Sequence, residues 1–193
     1  MTLDASLLDR ALDTLGDLLL DRGLRFELVA VGGSSLMLLG IIRRPTRDLD
    51  VVALVEDGQY IKARPLPEDL VAATRDVGLA LGLDERWLNA GPTDLLDFGL
   101  PDGVEGRVET RRYGGLTLHL AGRKDQIFFK LYATADQGVD SKHAGDLREL
   151  RPTSDELLAA ARWTRTHDPS EGFLSLLLPT LRAFGVEVED GEL

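Results

Sequence analysis

The sequence predicts an α+β fold, a small sheet flanked by helices with a helical carboxy-terminal part. Three observations predict it. An apolar strand, Phe26–Val31, runs through Gly32-Gly33-Ser34 into a helical stretch, and a β-branched strand, Leu49–Val55, follows. A second pair of strands is patterned as a hairpin before residue 122, and helical stretches fill the rest of the chain. The division expected is a core over 1–122 and a helical region over 123–193 packed on it.

Each element has its own signal. Leu7, Leu8, Ala11, Leu12, Leu15, Leu18 and Leu19 form one helical stripe within Asp4–Arg22, and Gly23 stops it. After the strand and glycine turn, Ser35–Leu39 opens a second helix. Arg43-Arg44-Pro45-Thr46-Arg47 is a polar, proline-broken connection to Leu49–Val55, with Asp48 and Asp50 at that strand's entrance. Residues 56–66 read as a loop. Pro67, Glu68 and Asp69 suit a first helical turn and start a helix to about Leu81. Between Gly82 and Gly106 turn signals dominate, with Trp87–Asn89 and Leu95–Phe98 as short strands. Arg107–Arg112 and Leu116–Ala121 form the hairpin around Tyr113-Gly114-Gly115. Helices are expected over Lys124–Ala135, Ser141–Leu150, Ser154–His167 and Glu171–Phe184, punctuated by Pro152 and Pro169.

Composition narrows the function classes. With 44% hydrophobic and 28% charged residues in 193, the chain can bury a core. The absence of cysteine excludes disulfides, thiolate zinc sites and cysteine nucleophiles. The longest uncharged run, Leu28–Ile42, is 15 residues with glycines and serines inside it, too short for a spanning helix. Asp4 and Asp9 stand where an export signal would be basic, so a cytoplasmic protein with no membrane partner is expected. The net charge of −11 repels nucleic acid over most of the surface. The segments 43–64 and 105–151, which are not net acidic, hold all of the motifs that follow except the glycine turn.

Those motifs are Gly32-Gly33-Ser34 and, after thirteen intervening residues, Asp48-Leu49-Asp50. Strand side chains alternate faces, so Asp48 and Asp50 point to one side and can share a divalent cation. Magnesium is held by one or two carboxylates together with substrate phosphates, which makes Mg²⁺ the cofactor and a nucleoside triphosphate (NTP) the third party. Gly32 and Gly33 let the backbone approach a ligand, and the amides at the start of the next helix favour an anion. Ser34 adds a hydroxyl donor for a phosphate. Arg43, Arg44 and Arg47 either hold phosphates or an RNA backbone, or solvate a loop. Lys130, set among Ile127, Phe128, Phe129, Leu131 and Tyr132, must lead its charge out of an apolar helix or meet an anion. Lys142 and Asp146 lie four apart and face each other on a helix.

The glycine-serine turn followed by Arg47-Asp48-Leu49-Asp50-Val51 resembles the first motif of the polymerase-β-like nucleotidyltransferase superfamily. Phe128–Ala133 with Ser141–Leu147 is similar to the downstream region of its AbiEii-like branch, which includes abortive-infection toxins. The resemblance implies a small mixed nucleotidyltransferase-type sheet flanked by helices and Mg²⁺-dependent transfer of a nucleotide from an NTP to a hydroxyl. It implies catalytic Asp48, Asp50 and Lys130, with Gly32, Gly33, Ser34, Arg47, Lys142 and Asp146 around the nucleotide. It also implies an RNA acceptor, such as tRNA for a toxin, and an antitoxin partner. Two features depart from the family pattern: Lys142-His143 lacks a carboxylate of that motif, and the third acid is unassigned, with Glu109 ahead of Asp97 as candidate. A small-molecule or protein acceptor, or a nucleotide-binding member without turnover, are the alternatives.

Overall fold

In a computed structural model that describes residues 2–188 and Leu193, the chain divides into two compact units. One comprises Met1–Gly99 with Glu105–Ala121, the other Leu100–Val104 with Gly122–Leu193.

The first unit opens with α1 (Ala5–Asp21), which begins where the Asp4 carboxylate accepts the Leu7 amide at 2.9 Å. Its stripe from Leu7 to Leu19 is buried. There follow β1 (Phe26–Val31), α2 (Gly32–Leu38), β2 (Leu49–Glu56), β3 (Gln59–Lys62), α3 (Glu68–Leu81) and β4 (Leu88–Asn89). A 3-10 segment, Gly91–Asp97, then leads towards β5 (Glu109–Tyr113) and β6 (Leu116–Leu120). The strand order is β3-β2-β1-β6-β5, with β4 also on β2. β1 runs parallel to β6, and β4 parallel to β2, while the remaining pairs are antiparallel, so the sheet is mixed. Leu28, Val29, Ala30, Val51, Val52 and Ala53 are all buried, the continuous apolar run of central strands covered on both faces.

Because β1 occupies one edge of β2, β3 and β4 share the other. β3 pairs with Ala53–Glu56 and β4 with Leu49–Asp50. Asp50 therefore has Val31 as its cross-strand neighbour on one side and Asn89 on the other.

Two expectations are corrected. Residues 59–62 are a strand, not loop: Asp57-Gly58, with φ of 50° and 76°, make the tight turn that folds β3 back on β2. Leu95–Phe98 is not a strand, because Pro92 opens a 3-10 segment whose Thr93 hydroxyl takes the Ala63 amide at 2.8 Å.

The second unit contains α4 (Arg123–Gln137), α5 (Lys142–Glu149), α6 (Ser154–His167) and α7 (Glu171–Ala183). α4 packs against the other three. Trp163 of α6 meets Phe128 and Phe129 edge-on at 5.9 and 5.6 Å between ring centres. Thr153 and Glu156 form a capping box at the start of α6. The Arg123 guanidinium, 2.6 Å from Glu156, holds that carboxyl below the usual carboxylate range. Among the described residues no helix is long and apolar enough to cross a membrane.

Candidate active site

The site grows from the meeting of the glycine turn with the entrance of β2. Gly32 has φ of 79°, and a β-carbon there would come within 2.9 Å of an Asp50 carboxylate oxygen. One at Gly33 would press on the Thr46 methyl at 2.9 Å and on the Arg44 guanidinium at 3.1 Å. Both positions thus require glycine so that the turn can lie directly against the loop carrying the aspartates.

That loop is tied down from two directions. Leu3 and Thr46 exchange both backbone hydrogen bonds, at 2.7 and 2.9 Å. Ser34, 1% exposed, donates to the Asp48 carbonyl and shares a hydrogen bond of 2.6 Å with the Thr46 hydroxyl. The single Ser34 proton is spent inside the fold. Its expected role as a phosphate donor is replaced by a structural one, fixing the backbone of Asp48 relative to the glycine turn.

Asp48 immediately precedes β2 and Asp50 is its second residue; both are half-buried. The Asn89 side-chain amide donates to Asp50 Oδ1 at 3.3 Å, and Asn89 Oδ1 accepts the Gly91 amide at 2.8 Å. The Gly91 contact settles which end of the Asn89 amide faces the carboxylate. Asp48 and Asn89 line an open cleft of about 850 Å³ together with Thr2, Arg47, Asp84 and Arg86. Neither Arg47 nor Arg86 has an ion pair among the described residues, so two guanidinium groups beside the carboxylates are available to an anion. The Asp84 carboxylate accepts the Arg86 amide at 2.9 Å, which fixes the start of the Arg86 side chain.

Two carboxylates beside unengaged cations suit a hard divalent ion that arrives with phosphates. Among the described residues no group of three His, Cys, Asp or Glu side chains is arranged to hold a metal. Asn89 stands where a neighbouring strand could have added a third acid.

Residues 8–149, from α1 through α5, match the model of a protein family described as a nucleotidyltransferase of unknown function (DUF6036). The chain belongs to this family. The match reaches the nucleotidyltransferase level and does not extend to the AbiEii-like branch. No curated protein and no solved structure matches the chain.

None of the other expected residues of this DUF6036 nucleotidyltransferase is among those lining that cleft. Glu109 is on β5, separated from β2 by β1 and β6, and binds Arg111 at 3.0 Å; it cannot join Asp50. Asp97 is engaged by Lys62 at 2.5 Å. The expected Lys142–Asp146 pair does not form: Asp146 is 1% exposed, on the inward side of α5, whereas Lys142 is exposed. Asp146 instead accepts from Lys130 at 2.7 Å, and the Lys130 side chain is only 4% exposed. Lys130 thus meets its anion inside the helical unit, and every residue lining the cleft belongs to the sheet unit. Sequence reasoning missed Arg86 and Asn89. Their one signal was the short apolar strand at Trp87–Asn89, which pairs beside Asp50.

Proposed function

We propose that this nucleotidyltransferase uses the cleft at the head of β2 to bind an NTP with Mg²⁺ and transfers its nucleotidyl group to a hydroxyl acceptor. The observation that carries the reading is a cleft lined by Asp48, Arg47, Arg86 and Asn89, with Asp50 held by that Asn89 and against the glycine turn. Asp48 and Asp50 are the residues that would hold the cation, and Asn89 orients Asp50 for it. A bound Mg²⁺ would neutralise charge on the phosphates. Arg47 and Arg86 clamp the phosphate chain, which sets the α-phosphorus in reach of the acceptor.

In the transfer, a bond forms between the acceptor oxygen and the α-phosphorus while the bond to the β-phosphate bridge breaks and pyrophosphate leaves. The acceptor's proton needs a base. Asp84 is the carboxylate of the cleft not assigned to the cation, and it takes that role. The acidic body, at −11 overall, favours an acceptor that is not a long polyanion. The tRNA acceptor, the toxin role and the antitoxin partner rest on the family resemblance of the sequence alone.

Calorimetric titration of the full chain with NTP, with and without Mg²⁺, tests the reading. Tight binding should require Mg²⁺, and Asp50→Asn should weaken it by at least about tenfold, the loss expected for a direct charge on a metal. Binding indifferent to both Mg²⁺ and Asp50→Asn would overturn it.

A further inference from the structure

A second cavity, of about 400 Å³, adjoins the cleft: Arg86 and Asn89 line both. One wall is apolar, built from Ala63, Leu66, Val71 and Leu88. The rest of the lining is largely polar. Arg64 donates to Asp94 at 2.9 Å and to the Ala90 and Gly91 carbonyls at 3.2 and 3.4 Å. These bonds hold the group by its edge N–H donors, which leaves the flat guanidinium faces suited to stacking.

Thr74, on α3, also lines this cavity. It is 3% exposed, and its hydroxyl has no hydrogen-bond partner. Its backbone carbonyl is occupied by the Trp87 indole at 2.9 Å, which holds α3 against β4. A buried hydroxyl without a partner is a cost to the fold, and such groups mark places where a ligand supplies the missing bond. Threonine in a helix has two accessible χ1 rotamers, so a rotamer change of about 120° turns the hydroxyl, itself buried, toward a ligand in the cavity.

We infer that this cavity is a subsite for a flat hydrogen-bonding heterocycle, the nucleobase of the NTP whose phosphates occupy the cleft. The ring lies against Leu66, Val71 and Leu88, stacks on the Arg64 guanidinium and bonds to the Thr74 hydroxyl. One molecule reaches both cavities because Arg86 and Asn89 form their common wall. The inference rests on the nucleotidyltransferase reading for the identity of the ring, and its test separates the two.

Three variants and two kinds of probe suffice. Inorganic tripolyphosphate with Mg²⁺ reports the cleft alone, and the four NTPs with Mg²⁺ report cleft and subsite together. Thr74→Val should melt at the same temperature as the native chain or higher, since it removes an orphan hydroxyl, yet weaken the preferred NTP about three- to tenfold. Val71→Trp, at a position 49% exposed and so tolerant of bulk, should fill the cavity. It should abolish the ranking among the NTPs while leaving tripolyphosphate affinity unchanged. Asp50→Asn should weaken tripolyphosphate and NTP alike and keep the ranking.

Unchanged NTP affinity and ranking in both Thr74→Val and Val71→Trp, with tripolyphosphate still bound, would overturn the subsite and leave the nucleotidyltransferase reading standing. Failure of the native chain to bind either tripolyphosphate or any NTP would overturn both. If the base bound here came from the acceptor instead, Val71→Trp would leave all four NTPs unaffected, which counts against the inference.

Discussion

Asn89 holds Asp50 by a hydrogen bond that only one orientation of its amide allows, because Gly91 claims the other end. Removing such an outer contact typically weakens metal affinity by about 10- to 100-fold without touching the ion. Asn89→Ala should therefore bind Mn²⁺ in the presence of NTP about tenfold more weakly than the native chain, whereas Asn89→Asp, which adds a charge beside Asp50, should bind at least as tightly. Equal affinities in all three would show that Asn89 does not position the carboxylate. The entrance of β2 at Asp48 and Asp50 was legible in the sequence, from the β-branched apolar run that follows it. Asn89 and Arg86 were not, because a two-residue strand carries no periodicity and its pairing with β2 is a tertiary fact. Ser34 misled for a related reason. Its residue type suits a phosphate, but burial against Thr46 and the Asp48 carbonyl decided its use.

At the scale of elements, helices other than α2, which starts three residues before the expected Ser35, were read almost to their ends, because Asp4, Pro67, Ser141, Thr153 and Ser170 sit at N-caps and announce them. β3 escaped because two exposed and two half-exposed residues show little apolar contrast, although Asp57-Gly58 was a usable hairpin signal. The junction of α4 and α5 carries the clearest energetic expectation. Lys130 and Asp146 are buried together, so Asp146→Ala strips the carboxylate from a buried ammonium, a change that costs about 3–5 kcal/mol and lowers the melting temperature by roughly 6–20 °C. Replacing both with apolar groups, Lys130→Met with Asp146→Leu, should recover most of that loss. The double variant should also keep Mg²⁺-dependent tripolyphosphate binding. A stable double variant that had lost that binding would return Lys130 to the phosphates.

Over the whole molecule, 33 acidic residues outnumber 22 basic ones, yet the cleft at the head of β2 presents two arginines without ion pairs among the described residues. Asp48 and Asp84 balance those two arginines, so a divalent cation held there would turn the cleft positive on an acidic surface, which favours a compact polyanion such as a triphosphate over a long one. The fold class followed from the sequence because the alternation of strand, glycine turn, helix and strand has few packed solutions, and helical stripes after residue 122 cannot extend the sheet. What the sequence did not reveal was that β4 and the 3-10 segment close around the head of β2, since turn-rich stretches take their shape from what they pack on. The most direct measurement is a crystal structure of the chain with a non-hydrolysable NTP and Mn²⁺, with data collected at the manganese absorption edge. An anomalous peak between Asp48 and Asp50, with the phosphates on Arg47 and Arg86, is the expected result. A nucleotide and metal bound anywhere else, with those two carboxylates untouched, would contradict it.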